Sequence, residues 1–234
     1  MIDSDPNVQP EAGRTSDAER LLDAALTHVP FDGWSEATLR AAARDADVSP
    51  DLARALYPRG AVDLALAYHR RGDAEMVRQL EAEDLSDLRY SEKVARVIEI
   101  RLAIADRELV RRGAALFALP LHTADGARAV WDSADAIWTA LGDTSDDVNW
   151  YTKRMMLSGV YSSCVLFWLG DDSLDSQATR DFIARRIANV MQVEKTKSRI
   201  AASPLGQALG RGPLALLSRI RRPGSASDLP GHTG

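Results

Sequence analysis

Apolar residues recur every three or four positions from about residue 17 to residue 222, the period of an amphipathic helix, and no alternating run flanks a hairpin turn. Leu21, Leu22, Ala25, Leu26 and Val29 form the first stripe. Ser16, with Glu19 three residues on, is a capping-box pair, so the first helix is expected from Asp17 to about His28, ended by Pro30, Asp32 and Gly33. Ser35 caps a second helix to about Asp45. Ser49 and Pro50, as N-cap and first helical residue, open a short third helix to about Tyr57. A longer helix, carrying Gly72 at a cost, follows to about Glu83. Further stripes predict helices at about 90–105, 107–118, 123–141, 146–169, 175–199 and 204–221, with Thr144 or Ser145 and Ser173 as caps. The polar stretches 1–16 and 223–234 carry Pro and Gly without a period and are expected to be disordered tails. The pattern describes an all-α chain. It has a small N-terminal unit (17–71), a larger helical domain (72–199) and a terminal amphipathic segment (204–222).

Composition narrows the class. Hydrophobic residues are 45% and charged residues 27% of 234, ordinary globular usage. The one cysteine, Cys164, excludes an intramolecular disulfide framework and a cysteine zinc cluster; within an apolar helix its thiol is expected to be inert packing. A net charge of −5 excludes a chain that coats nucleic acid. The longest uncharged apolar run, 155–169, is 15 residues, short of the roughly 20 a spanning helix needs. No secretory signal or mitochondrial presequence is visible, and with the Ala- and Arg-rich usage this suggests a bacterial cytoplasmic protein, peripheral to the inner membrane.

The chemistry-bearing residues make no catalytic set. His28, His69, His122 and His232 include no pair at i, i+4, and there is no Glu-x-x-His, Gly-x-Ser-x-Gly or phosphate loop. We expect no enzyme activity, no cofactor and no metal. Residues 19–68, LLDAAL then WSEATLRAAARDADVSPDLARALYP, resemble the helix-turn-helix domain of TetR-type repressors. Its charge argues against DNA: from Asp17 to Arg71 there are nine carboxylates, seven arginines and no lysine, and Asp51 stands at the start of the third helix. A TetR-type transcriptional regulator, reading DNA and a hydrophobic ligand, is the alternative reading.

The strongest local pattern is Asp146-Asp147-Val148-Asn149-Trp150-Tyr151-Thr152-Lys153-Arg154, continuing MMLSGVYSSCVLFWLGDDS. With AVWDSADAIWTALGD before it and FIARRIANVMQVEK after it, it resembles the ubiquinone (coenzyme Q) biosynthesis accessory family, over about residues 19–222. The resemblance implies a TetR-repressor-like fold without DNA function. It also implies a pocket for an isoprenoid quinone precursor or phospholipid, a patch docking the demethoxyubiquinone hydroxylase and a membrane-touching C-terminal helix; the likeness to TetR-type folds, which dimerise through their last helices, implies a homodimer through 146–169 and 175–199.

On this basis Asn149, Trp150, Tyr151, Lys153, Arg154 and Tyr161 are expected to bind the partner, with buried core the competing reading for Trp150. Nine of the fourteen aromatics lie between Phe117 and Phe182. Phe117, Trp131, Trp138, Met155, Met156 and Phe167 are the expected lipid-binding residues, methionine suiting a pocket for flexible chains. The helix at 146–169 is apolar all round, as for a helix central in a core or shared with a ligand. From Glu194 to Arg222 seven bases face one acid, and Leu205, Leu209, Leu216 and Ile220 fall within about 60° of helical arc. With Arg211 and Arg219 they form the expected membrane-binding face.

Overall fold

The computed structural model describes residues 16–202. Nine α-helices carry these residues, with no strand among them: α1 (Asp17–Asp32), α2 (Glu36–Asp45), α3 (Pro50–Leu56), α4 (Ala61–Glu81), α5 (Tyr90–Ala103), α6 (Arg107–Phe117), α7 (Thr123–Ala140), α8 (Val148–Leu169) and α9 (Gln177–Ala202). The predicted membrane-binding face of Leu205, Leu209, Arg211, Leu216, Arg219 and Ile220 lies outside the described residues, as do 1–15 and 223–234. No helix among the described residues is long and apolar enough to cross a membrane.

Local chemistry sets most boundaries. The Ser16 hydroxyl accepts from the Glu19 N–H at 3.2 Å, and the Glu19 carboxylate accepts from the Ser16 N–H at 3.1 Å. Ser49 caps α3 by accepting from the Leu52 N–H at 3.2 Å. Two expectations are corrected. α1 does not stop at His28 but runs through Pro30 to Asp32. A proline this near the C-terminal end forfeits only the bond its missing N–H would make to the Leu26 carbonyl, and the Pro30 carbonyl, near the helix end, accepts from Arg112 Nη2 at 2.9 Å. The helix ends at Gly33, whose φ of +64° favours glycine. α8 is capped by Asp147, which accepts from the Asn149 N–H at 2.8 Å, and not by Thr144 or Ser145. Ser145 Oγ is turned instead to Asp143 and Lys153.

The helices build two apolar cores. The first joins α1–α3 and the start of α4, with Leu21, Leu22, Val29, Leu39 and Leu64 buried, and takes Leu109 from α6. The second joins the end of α4 to α5, α7, α8 and α9, around Met76, Val97, Ile98, Ile137, Cys164 and Ile183. α4, 21 residues and so about 32 Å long, is the beam they share. α8 is not buried all round. It buries Arg154, Leu157, Val160, Tyr161, Cys164 and Trp168 and turns Met155 and Leu166 outward, 65% and 67% exposed.

α6 reaches α7 closely because Gly126 has no side chain. A Cβ there would stand 2.7 Å from Phe117 Cβ, an atom that cannot yield without moving the helix. Gly126→Ala is therefore expected to lower stability by about 1–3 kcal/mol, as overpacking does, although helix propensity alone favours alanine by about 1 kcal/mol. Urea denaturation gives the sign: destabilisation means that close approach dominates, stabilisation that it does not.

Candidate functional site

Between the two cores lies a cavity of about 550 Å³, walled by the middle of α4, the end of α5, and α6, α7 and α8. The size falls within the range of small-molecule pockets. Its walls are apolar and mostly small: Ala65, Ala105, Gly113, Ala114 and Ala127 keep backbones close without filling the space, and Leu102, Val110 and Val130 line the rest. Trp34 reaches in from the N-terminal unit, its indole N–H donating to the Leu109 carbonyl at 3.2 Å and its ring 5.7 Å from that of Tyr68. The cavity opens at the surface, since exposed Ala114, Gly159 and Leu166 stand on its rim.

One end of the cavity is polar. Asp73, buried on α4, accepts from Arg101 Nε of α5 at 2.8 Å and from Ser133 Oγ of α7 at 2.8 Å. Arg101, 4% exposed, also donates to the His69 carbonyl at 3.1 Å. Its guanidinium lies on the α4 backbone at Gly72, where a Cβ would stand 2.7 Å from it, which is the reason for a glycine in mid-helix. His69 Nε2 is 2.7 Å from Ser133 Oγ and 3.1 Å from the Ala129 carbonyl. Burial pushes the His69 pKa down, so the ring is neutral. Tyr161 is buried beside this group, and burial raises its pKa.

The predicted site residues divide unevenly. Of the six expected to bind lipid, Phe117 lines the cavity, and the other five lie elsewhere. Trp131 packs with Trp150 at 5.9 Å and Tyr151 at 6.5 Å between ring centroids. Trp138 stacks on Tyr90, Phe167 stacks on Phe182 of α9, Met155 is exposed and Met156 is half-buried. Of the six expected to bind a partner, Asn149 is exposed, and Trp150, Tyr151 and Lys153 are half-buried. Arg154 and Tyr161 are buried, and Tyr161 is a cavity wall, so neither is a surface residue.

Arg154 instead pins the α7–α8 hairpin. Only 2% exposed, it donates through Nε to Asp135 at 2.5 Å, and through Nη1 to Asp143 at 3.1 Å and the Trp150 carbonyl at 3.1 Å. Its guanidinium sits 4.1 Å from the centroid of the Trp150 ring. Asp143 also accepts from Lys153 Nζ at 2.6 Å. Burial would raise the Asp143 pKa, but hydrogen bonds from Lys153, Ser145 and Arg154 outweigh it and hold it down at about 2. Cys164 is buried and its thiol is pushed up to about 11 by burial, which keeps it protonated. No group of three or more His, Cys, Asp or Glu side chains among the described residues could hold a metal ion.

Four of the seven arginines of the N-terminal unit are paired with carboxylates. Arg20 pairs with Asp17, Arg54 with Glu36, Arg59 with Asp63 and Asp125, and Arg71 with Asp23. α3, which would enter a DNA groove, offers Asp51 and one arginine, Arg54, already paired.

Comparison with known proteins supplies a family. The model of the family COQ9 matches residues 123–194. The ubiquinone biosynthesis protein COQ9, mitochondrial, of Xenopus tropicalis is 30% identical over 203 residues, 83% of this chain and 63% of that protein. COQ9-B of Xenopus laevis is 30% identical, with 83% and 68% covered, and human COQ9 28% identical, with 82% and 63% covered. The chain thus spans about two thirds of the length of these relatives. A crystal structure of a TetR transcriptional regulator from Nitrosomonas europaea superposes with a TM-score of 0.60 at 22% identity, over 73% of this chain and 95% of that one, and shows the fold. The relatives, among them one from Dictyostelium discoideum, are named mitochondrial, which overturns the expectation of a bacterial cytoplasmic location. Alanine and arginine usage does not encode a compartment.

The pin yields a pH prediction. Because the folded Asp143 pKa is depressed, its contribution to stability is complete above the ordinary 3.8 and is lost as pH falls toward about 2. Asp143→Asn should be less stable at neutral pH and should lose less stability between pH 4 and 2. Arg154→Ala should cost about 3 kcal/mol, the low end for breaking a buried pair, because Lys153 remains on Asp143. Parallel acid-unfolding curves check both, and an unchanged wild-type acid limb in Asp143→Asn refutes the pin.

Proposed function

The chain belongs to the COQ9 family, and on that premise we propose that it is a non-catalytic lipid-binding accessory protein of ubiquinone biosynthesis. It holds an isoprenoid quinone precursor or phospholipid in the cavity and presents the precursor to the demethoxyubiquinone hydroxylase at a membrane surface. The observation that carries this reading is the cavity, apolar along its walls and open at one rim. A polyprenyl tail is nearly insoluble in water, and transfer of its apolar surface into such a space is favourable in proportion to the area removed from water. The basic, leucine-striped segment 204–222 supports the membrane contact by sequence. The stacked Phe167 and Phe182, with ring centroids 4.3 Å apart, tie α8 to α9, the pair of helices on which a homodimer is proposed. The acidic N-terminal unit, with four of its seven arginines paired internally, supports a protein that does not bind nucleic acid.

Extraction of the purified protein and mass spectrometry test the cavity reading. Prenylated quinone precursors or phospholipid near one per chain are expected, and a lipid-free protein that takes up none from vesicles would oppose it.

The docking surface is expected at the half-buried aromatic cluster of Trp131, Trp150 and Tyr151, flanked by exposed Asn149. Trp150→Lys should reduce capture of the hydroxylase at least tenfold while the melting temperature falls by only a few degrees. Normal capture by a folded Trp150→Lys protein removes Trp150 from the interface. Insolubility of that variant assigns the residue to the core.

A further inference from the structure

The polar end of the cavity fixes which ring nitrogen of His69 carries the proton. Asp73 accepts from Ser133 Oγ at 2.8 Å and 3.0 Å, so the one hydroxyl proton of Ser133 is committed to that carboxylate. Ser133 Oγ, 2.7 Å from His69 Nε2, must then accept from it. The Ala129 carbonyl at 3.1 Å and the second Asp73 oxygen at 3.6 Å, on the same side of the ring, are also acceptors. Nε2 therefore bears the hydrogen. A neutral ring with Nε2–H has a bare lone pair at Nδ1. Nδ1 has no hydrogen-bond partner among the described residues, and His69 is one of the residues that line the cavity.

We infer that His69 Nδ1 is the acceptor of a head-group subsite that takes the hydroxyl of an amphipathic ligand, a phenol or alcohol, at the polar end of the cavity. This rests on reading the cavity as a lipid site. The neighbours select the class. A carboxylate or phosphate would set its own lone pairs against Nδ1, and Asp73 already neutralises Arg101, so an anion gains little. An ammonium group would meet the Arg101 guanidinium on the same wall. A neutral hydroxyl donor satisfies the lone pair without adding charge. The tautomer is positioned by Asp73 and Ser133, which act through His69 and not on the ligand.

The test compares 4-dodecylphenol with its methyl ether, which keeps the tail and ring and removes the donor. Binding is read from the fluorescence of Trp34 and Trp168 on the cavity wall. The wild type should bind the phenol about tenfold more tightly. His69→Leu should bind both as the wild type binds the ether. Equal affinity in the wild type, or a preference that survives in His69→Leu, overturns the subsite while leaving the lipid cavity standing. Failure of the wild type to bind either probe overturns the cavity reading itself. Nitrogen-15 spectra of histidine-labelled wild type decide the matter should His69→Leu not fold. An unprotonated Nδ1 resonance that moves with the phenol and not with the ether is expected. A protonated Nδ1, or one indifferent to the phenol, contradicts the inference.

Discussion

A carboxylate buried at the seam of two apolar cores governs this structure. Asp73 stands midway along α4, between the part that serves the first core and the part that serves the second. Burying a charge there costs several kcal/mol unless it is matched. Arg101 from α5 and Ser133 from α7 match it, with His69 completing the group. Three helices are thereby held at fixed separation by directional bonds where apolar packing has stopped. Without such ties α4, α5 and α7 would be free to draw together and close the space. The polar group therefore maintains a cavity that hydrophobic contacts alone would tend to eliminate.

A second buried charge acts similarly at the other end of α7 and α8. Arg154, set among Asp135, Asp143 and the Trp150 ring, locks the hairpin and thereby orients the aromatic cluster beside it. The guanidinium is a fastener beneath a surface, not part of the surface. Substitution at Arg154 thus confounds docking with folding, whereas the half-buried Tyr151 separates them.

Much of the helical order was legible because it is local. Ser16 with Glu19, and Ser49 with Pro50, encode helix starts in four residues, and apolar period encodes the faces. The passage of α1 through Pro30 was not legible, since Pro30, Asp32 and Gly33 together read locally as a stop signal. Neither was the burial of Arg154, whose partners stand on another helix and its loop. Aromatic enrichment pointed past the cavity to the outer cluster, because large rings fill space and a cavity is made by residues that do not. Ala65, Ala105, Gly113, Ala114 and Ala127 carry no individual signal. What could have been found is on α4: His69 and Asp73 share a face at i, i+4, and Gly72 between them marks a close approach that proved to be Arg101. That both ring and carboxylate would be buried was set by α5 and α7 and could not be read from α4 alone.

The account stands on the cavity as the place where lipid is held. Val110→Trp on α6 and Val130→Trp on α7 would each place an indole on its walls. The measurement is displacement of a fluorescent fatty-acid probe by a tailed quinone precursor in the wild type and in each variant, with melting temperatures taken alongside. The account predicts that both variants melt within a few degrees of the wild type and bind the precursor at least tenfold more weakly. Undiminished affinity in folded variants would contradict it.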